Sequence, residues 1–353
     1  MRPLLQGRRR VLRLAVAGSL AAGPLAACSS RIDRIERGPL AVLLDTPGEA
    51  GADPSATNEH AQLLRALAAV QTARHIPLQV RVLQPAEDPQ AVLRSLAAAD
   101  VRMVVSVGER FDTALAQVAK DWPQQRFTTL GGRLASPALA CYRLREEEVA
   151  WLAGLLAARI APGGSIAVHF PTPGSRFATE SPASVSGQTA TTPPWVEAFR
   201  RGARRADAAV RVQWIGARRT PATLVEQLER EGVTCVCAAL DPSAPEVAAA
   251  FSGSRVRLIA REGDGTAPAV SAPWLAARTI CDRGALVDRL SGDIVDGVWR
   301  SNLERSFGLR QASMLRLERA AGLEPALDTS IAAELDIAAY DIMAGRIPVT
   351  IKP

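Results

Sequence analysis

The sequence predicts an α/β protein built from two doubly wound parallel sheets. Three observations carry this reading. From Pro39 onward, short apolar runs alternate with helix-length segments of helical periodicity. Several of those runs are apolar without a break, as in strands covered on both faces. The strand–helix rhythm also runs through the chain twice, starting again at Glu146.

In the first half, Pro39–Leu44 is a continuous apolar run, read as a buried parallel strand. A helix follows over about Asn58–Arg74. Leu78–Leu83 alternates and is read as a strand, and Asp88–Ala98 as a helix. Val101–Val107 is the next strand, Phe111–Asp121 the next helix, and Arg126–Leu130 a further strand. In the second half, Glu146–Ile160 is a helix apolar almost all round, which predicts burial on every side. Ser165–Phe170, Arg211–Ile215, Thr234–Ala239 and Val256–Ala260 are read as strands. Trp195–Ala208, Pro221–Glu231 and Pro245–Phe251 are read as the helices between them. The stretch from Thr172 to Pro194 has no apolar periodicity and is full of turn formers. It is read as a disordered surface loop, the first place limited proteolysis should cut.

The N-terminus has a different character. Arg8, Arg9, Arg10 and Arg13 form a basic region, and an apolar stretch runs from Leu12 to Leu25. It ends in Leu25-Ala26-Ala27-Cys28. This is the layout of an export signal, covering 1–27, and the stretch is short for a membrane span. Its ending resembles the lipobox of bacterial lipoproteins, in which the cysteine is acylated, so Cys28 is the expected lipidation site. The plain alternative is an incidental cysteine in an ordinary signal peptide. The adjacent arginines also resemble a twin-arginine export signal. Residues 28–37 are then a lipidated polar tether. The expected location is the cell envelope, anchored to a membrane and facing the periplasm or the cell exterior.

Composition excludes several classes. About 325 residues follow Cys28, a length that suggests two domains. The net charge of +6 includes five arginines before Cys28 and no acid there, so the mature chain is nearly neutral. That leaves no electrostatic footprint for nucleic acid; Arg200-Arg201 and Arg204-Arg205 read as the wet side of a helix. His60, His75 and His169 are isolated, and no metal-ligand spacing is present. No phosphate loop, Gly-x-Ser-x-Gly elbow or His-Glu-x-x-His motif occurs, so neither an enzyme nor a cofactor is expected. Cys235 and Cys237 alternate on one strand face; with Cys141 and Cys281 they are either one disulfide and two thiols or all buried thiols.

Several segments resemble the basic membrane protein (BMP) family, lipoprotein substrate-binding components of ABC importers whose characterised members bind nucleosides. Arg145-Glu-Glu-Glu-Val-Ala-Trp-Leu-Ala-Gly-Leu-Leu-Ala-Ala158 looks like its acidic-then-LAGxLAA helix. Val107-Gly108-Glu109-Arg110-Phe111, followed by Ala114, Val118, Pro123 and Phe127, is similar to its strand–helix–strand. Phe199-Arg-Arg-Gly202-Ala203, Leu258–Asp264 and Ile342–Val349 resemble three further motifs in the family's order. The resemblance implies a type I periplasmic-binding-protein fold, with two lobes joined by a three-segment hinge. The lobes would comprise 38–142 with about 274–308, and 143–273 with about 309–353. It implies a monomer, a small polar ligand that is nucleoside-like, and an ABC permease in the inner membrane as partner.

Open α/β sheets bind ligands beyond the carboxyl ends of their strands. The candidates there are Asp45, Asp53, Asn58, Glu109, Phe111, Phe170, Asp241, Glu262 and Asp264. Asp53-Pro-Ser-Ala-Thr-Asn58 is an imperfect copy of the family's ribose-binding segment, and a carboxylate there can accept two hydroxyls. Asn58 reads equally as a ligand contact or a helix N-cap. Phe111 either stacks on a planar ligand or pins its helix into the core. Asp241-Pro242 is also an ordinary turn start. Glu262 and Asp264 stand where the family has ligand-binding aspartates. The base-stacking aromatic of the family is replaced by Ala56 or Thr57, and its Ser-x-x-Lys is lost after Ser271. Trp274 and Phe170 remain as substitute aromatics. The degraded motif leaves a second reading: an envelope lipoprotein of the same fold that acts as a sensor or protein-interaction module.

Overall fold

The computed structural model describes residues 38–45, 54–84, 86–133, 136–169, 192–216, 219–262, 272–320 and 329–349. The export signal, Cys28 and the tether lie outside the described residues, as does the loop from Thr172 as far as residue 191. Among the described residues no helix is long and apolar enough to cross a membrane.

Two six-stranded sheets form the frame. The first contains β1 (Leu40–Leu44), β2 (Leu78–Val82), β3 (Met103–Val107), β4 (Phe127–Leu130), β5 (Ala140–Leu144) and β11 (Glu304–Phe307). Its order is β11-β5-β4-β3-β1-β2, and every pair is parallel. The second contains β6 (Ser165–His169), β7 (Arg211–Ile215), β8 (Val233–Ala238), β9 (Arg257–Glu262), β10 (Leu275–Cys281) and β12 (Leu315–Arg319). Its order is β12-β10-β9-β8-β6-β7, and β12 alone runs antiparallel, against β10.

Helices cover both faces of each sheet. The first lobe has α1 (Pro54–Arg74), α2 (Pro89–Ala98), α3 (Asp112–Asp121) and α8 (Arg283–Val295). The second has α4 (Glu146–Ile160), α5 (Pro194–Ala206), α6 (Pro221–Arg230), α7 (Pro245–Phe251) and α9 (Thr329–Met343). Double coverage explains the unbroken apolar strands. On β3, Met103 and Val105 pack in one cluster with α1 and α8, while Val104 packs in another with α2 and α3. The strands that alternate, β2 and β7, are sheet edges with partly exposed side chains. Local chemistry sets the helix starts. Asp88 caps α2 through Gln90 N and Ala91 N, Thr220 caps α6, and Asp282 caps α8 through Ala285 N at 3.0 Å.

The chain passes between the lobes three times: from β5 to α4 over Arg145, from β10 to α8 over Asp282, and from β11 to β12. The crossings are tied to one another. Arg145 N donates to Phe307 O at 2.7 Å, and Asp282 N donates to Met314 O at 2.8 Å. Leu309 N donates to the Glu148 carboxylate at 2.8 Å. One boundary differs from expectation. The segment from 274 was expected in the first lobe, but β10 pairs with β9 and β12 in the second, so the crossing falls at Asp282. Leu275–Cys281 is buried throughout, between β9 and the edge strand β12, which the apolar count alone does not reveal.

Helix α4 is the centre of the second lobe. Every residue from Glu147 to Ala158 is buried, as the all-round apolar pattern requires. It meets α5 with glycine against backbone. A Cβ on Gly202 would lie 2.7 Å from Trp151 C, and one on Gly154 would lie 2.8 Å from Phe199 C. Both distances are well inside contact, so only glycine admits this approach. The two glycines of the family-like motifs are therefore packing residues. The four cysteines Cys141, Cys235, Cys237 and Cys281 are free and buried. Burial holds their protons on: Cys141 is pushed up to about 11 and Cys235 to about 12.

Candidate functional site

A cleft of about 510 Å³ lies where the carboxyl ends of both sheets meet the crossings. The first lobe contributes Asp45 after β1, Gly108, Glu109 and Arg110 after β3, and Arg133 after β4. Gly108 has a φ of 94°, a conformation that glycine adopts freely. It turns the chain off β3 into a short 3-10 segment, Glu109–Phe111, and sets Glu109 and Arg110 on the rim. The end of β5 and the start of α4, on either side of the first crossing, contribute Arg143, Glu146 and Glu147; the start of α8, after the second, contributes Arg283. The second lobe adds Trp195 at the start of α5 and Arg261 at the end of β9.

The lining is a lattice of arginines and carboxylates. Arg110 pairs with Asp45, and Arg133 with Glu109. Arg133 also reaches buried Glu147 at 2.7 Å. Glu146 holds Arg261 at 2.7 Å and Arg283 at 3.1 Å, so one carboxylate joins β9, α8 and the first crossing. Burial would push the Glu146 carboxyl up, but the charges of Arg283 and Arg261 outweigh it and bring it down to about 2. Arg261 also lies 5.8 Å from the ring centre of Trp195, which in turn stacks on Phe199 at 6.0 Å. Buried Asp112 supports the rim: it accepts from Thr129 Oγ1 at 3.0 Å and from Arg133 N at 2.6 Å.

The structure brings only some of the expected residues to the cleft. Asp45 and Glu109 line it. Phe111 does not: it is fully buried beside Leu43, Leu93 and Leu115, and it pins α3 against the sheet rather than stacking on a ligand. Asp241 turns its carboxylate to Ser243 N at 2.9 Å and Ser243 Oγ at 2.6 Å, which is the turn-forming role. Helix α1 begins at Pro54, so Asn58 lies inside it and is not its N-cap. The side chains of Asn58 and Glu262 lie outside the described residues, as do Asp53, Phe170 and Asp264. Trp274 is no substitute aromatic; it is buried in the second-lobe core, 5.7 Å from Phe251. Among the described residues, the aromatic that lines the cleft is Trp195.

A model of the Bmp family, described as ABC transporter substrate-binding protein PnrA-like, matches residues 50–256. No match is found among curated proteins. Among solved structures, an ABC transporter solute-binding protein from Aeropyrum pernix K1 is 17% identical with a TM-score of 0.65, covering 89% of this chain and 94% of that one. A transcriptional activator of the comK gene from Bacillus halodurans is 15% identical with a TM-score of 0.62, covering 88% of this chain and 100% of that one. A periplasmic solute-binding protein from Actinobacillus succinogenes 130z with bound D-allose is 13% identical with a TM-score of 0.56, covering 81% of this chain and 99% of that one. At such identities the likeness speaks to the fold, which is that of type I periplasmic-binding proteins.

Proposed function

Since this chain belongs to the Bmp family of PnrA-like ABC transporter substrate-binding proteins, we propose that it is the lipid-anchored receptor of an importer, taking a small polar solute between its lobes. The observation that carries this is the cleft itself. It opens at the carboxyl ends of both sheets and is bounded by the first and second crossings, so closure would wrap a ligand from both sides. Its lining offers carboxylates and guanidinium groups, suited to hydroxyls, amides and acids. A nucleoside is the ligand class that the family resemblance implies, with Asp45, Asp53, Glu262 and Asp264 as candidate contacts; Trp195 stands in the cleft wall, but Phe199 and Arg261 pack on its ring. The function is binding and delivery to an inner-membrane permease, by a monomer held through a lipid on Cys28.

One observation favours the second reading, an envelope sensor or protein-interaction module. Glu146 joins segments of both lobes through Arg261 and Arg283, so these three charged groups of the cleft engage one another. A thermal-shift screen of the mature chain, refolded to strip bound solute, separates the two. A ligand at 100 times its Kd adds about 2.7 kcal/mol. Stabilisation by nucleosides supports the nucleoside importer, and stabilisation by another solute class keeps the importer and changes its cargo. No stabilisation by any solute leaves the sensor reading. For the anchor, metabolic labelling with palmitate should mark the wild type and not Cys28→Ser; an unlabelled wild type would remove the anchor from the proposal.

A further inference from the structure

We infer that the solute taken by this cleft carries a carboxylate or phosphate group, and that Arg143 is the residue that receives it. This rests on the cleft being a solute site, as proposed above.

The argument is a pairing of charges. Among the described residues the cleft is lined by Arg110, Arg133, Arg143, Arg261 and Arg283, against Asp45, Glu109, Glu146 and Glu147. Arg110 is matched by Asp45, and Arg133 by Glu109 and Glu147. Glu146 serves both Arg261 and Arg283. Among the described residues, as many carboxylates as arginines are consumed in these pairs, and Arg143 is left over there. Among the described residues the carboxylate it pairs with is Glu304 at 4.0 Å, beyond hydrogen-bond reach and itself 57% exposed. Water screens an ion pair of that kind almost completely.

Arg143 is not a solvated surface arginine. It stands on β5, one step before the first crossing, and its side chain is 20% exposed. Its Nε is buried and has no hydrogen-bond partner among the described residues. The Oγ of Ser306, the register partner of Arg143 on β11, is buried and unpartnered in the same way. A buried guanidinium N–H without an acceptor is costly, and the group is always charged. A carboxylate or phosphate supplies two acceptors in the geometry of the guanidinium fork and the missing negative charge together. A neutral solute can offer acceptors but not the charge, and its binding would desolvate Arg143 without neutralising it.

The test is calorimetric titration of three matched pairs into ligand-stripped mature protein: adenosine and its 5′-monophosphate, galactose and galacturonate, glycerol and glycerol 3-phosphate. In at least one pair the acid should bind more tightly than its neutral partner. Arg143→Gln should weaken that acid by about 10- to 100-fold and leave the neutral partner unchanged. Arg143→Lys, which keeps the charge and loses the fork, should recover part of the loss. Should Arg143→Gln not fold, Arg143→Lys and salt carry the test: affinity for the acid should fall with added NaCl, and that of the neutral partner should not. Neutral members that bind as well as their acids, or an acid unaffected by the Arg143 variants and by salt, would overturn the inference and leave the importer standing. Six silent titrations would overturn the inference together with the solute-site reading.

Discussion

Gly202→Ala tests the packing at the heart of the second lobe, because two effects predict opposite signs. Intrinsic propensity favours alanine in a helix by about 1 kcal/mol, so a helix judged alone should become more stable. The structure says otherwise. The new Cβ would sit 2.7 Å from Trp151 C and 3.0 Å from Trp151 Cα, with the carbonyl oxygen closer still. Ordinary carbon contacts lie at about 3.5–4.0 Å, so α4 and α5 would have to part by about 1 Å. The atoms in the way are backbone and cannot swing aside. Parting by that much forfeits a quarter to a half of each dispersion contact across the interface. Overpacking of this kind costs about 1–3 kcal/mol, and the strain here falls at the upper end. After the propensity gain, the net loss should be about 2 kcal/mol. For a lobe of this size that lowers Tm by roughly 4–8 °C. Urea unfolding followed by circular dichroism measures it directly. Gly154→Ala should behave alike, since its Cβ would strike Phe199 C at 2.8 Å. The double variant should cost less than the sum, because one separation relieves both clashes. A Gly202→Ala protein as stable as the wild type, or more so, would refute the reasoning.

Three further outcomes are expected. Glu146 has its carboxyl lowered from 4.5 to about 2 by Arg283 and Arg261. Its contribution is therefore complete above about pH 4.5 and lost as the pH falls toward 2. A Tm–pH curve should show wild-type stability declining across that window by about 3 kcal/mol, and Glu146→Gln should be less stable at pH 7 with a flatter acid limb; parallel curves would count against the pairing. Tyr142→Phe should cost about 1–3 kcal/mol in urea unfolding, since the hydroxyl donates to buried Asp293 at 2.9 Å; a loss below 0.5 kcal/mol, roughly the level of an ordinary surface change, would show that the bond contributes nothing. In Cys28→Ser protein the four buried thiols should ignore Ellman's reagent at pH 8 in the native state and react together on unfolding, because burial raises Cys141 to about 11 and Cys235 to about 12; a fast-reacting thiol in that native protein would contradict their burial.

What the sequence disclosed follows from how far periodicity reaches. It located β1 to β4, α4 and the strand–helix repeat through β9, because each is long or apolar enough to announce its own burial. It said little beyond Ala260. There β10 carries buried Arg278, whose guanidinium donates to Glu318 on the neighbouring β12 at 2.7 Å. Such pairing depends on a partner forty residues away, and a local pattern does not contain it. The site was less legible. Asp45 and Glu109 were found because they follow apolar strands. The arginines 133, 143, 261 and 283 were missed, since single arginines in an arginine-rich chain look like solvated surface. One signal was present: the run Arg145–Glu148 stands at the head of a helix that is otherwise apolar all round, so its carboxylates had to enter the interior with it. For Phe111 the sequence left two roles open, and the structure selects the core rather than the ligand contact.

The triple passage between lobes has a consequence for how the chain acquires its shape. Synthesis runs from the N-terminus, yet the first sheet receives its edge strand β11 only after nearly all of the second lobe has been made. The second lobe in turn waits for β12 and for α9, which packs on α4. Until then β5 and β10 each present an unpaired edge, open to wrong partners. Neither lobe is a self-sufficient unit in chain order, so the two must mature together, and a nascent chain halted before Leu315 should still need a holding chaperone.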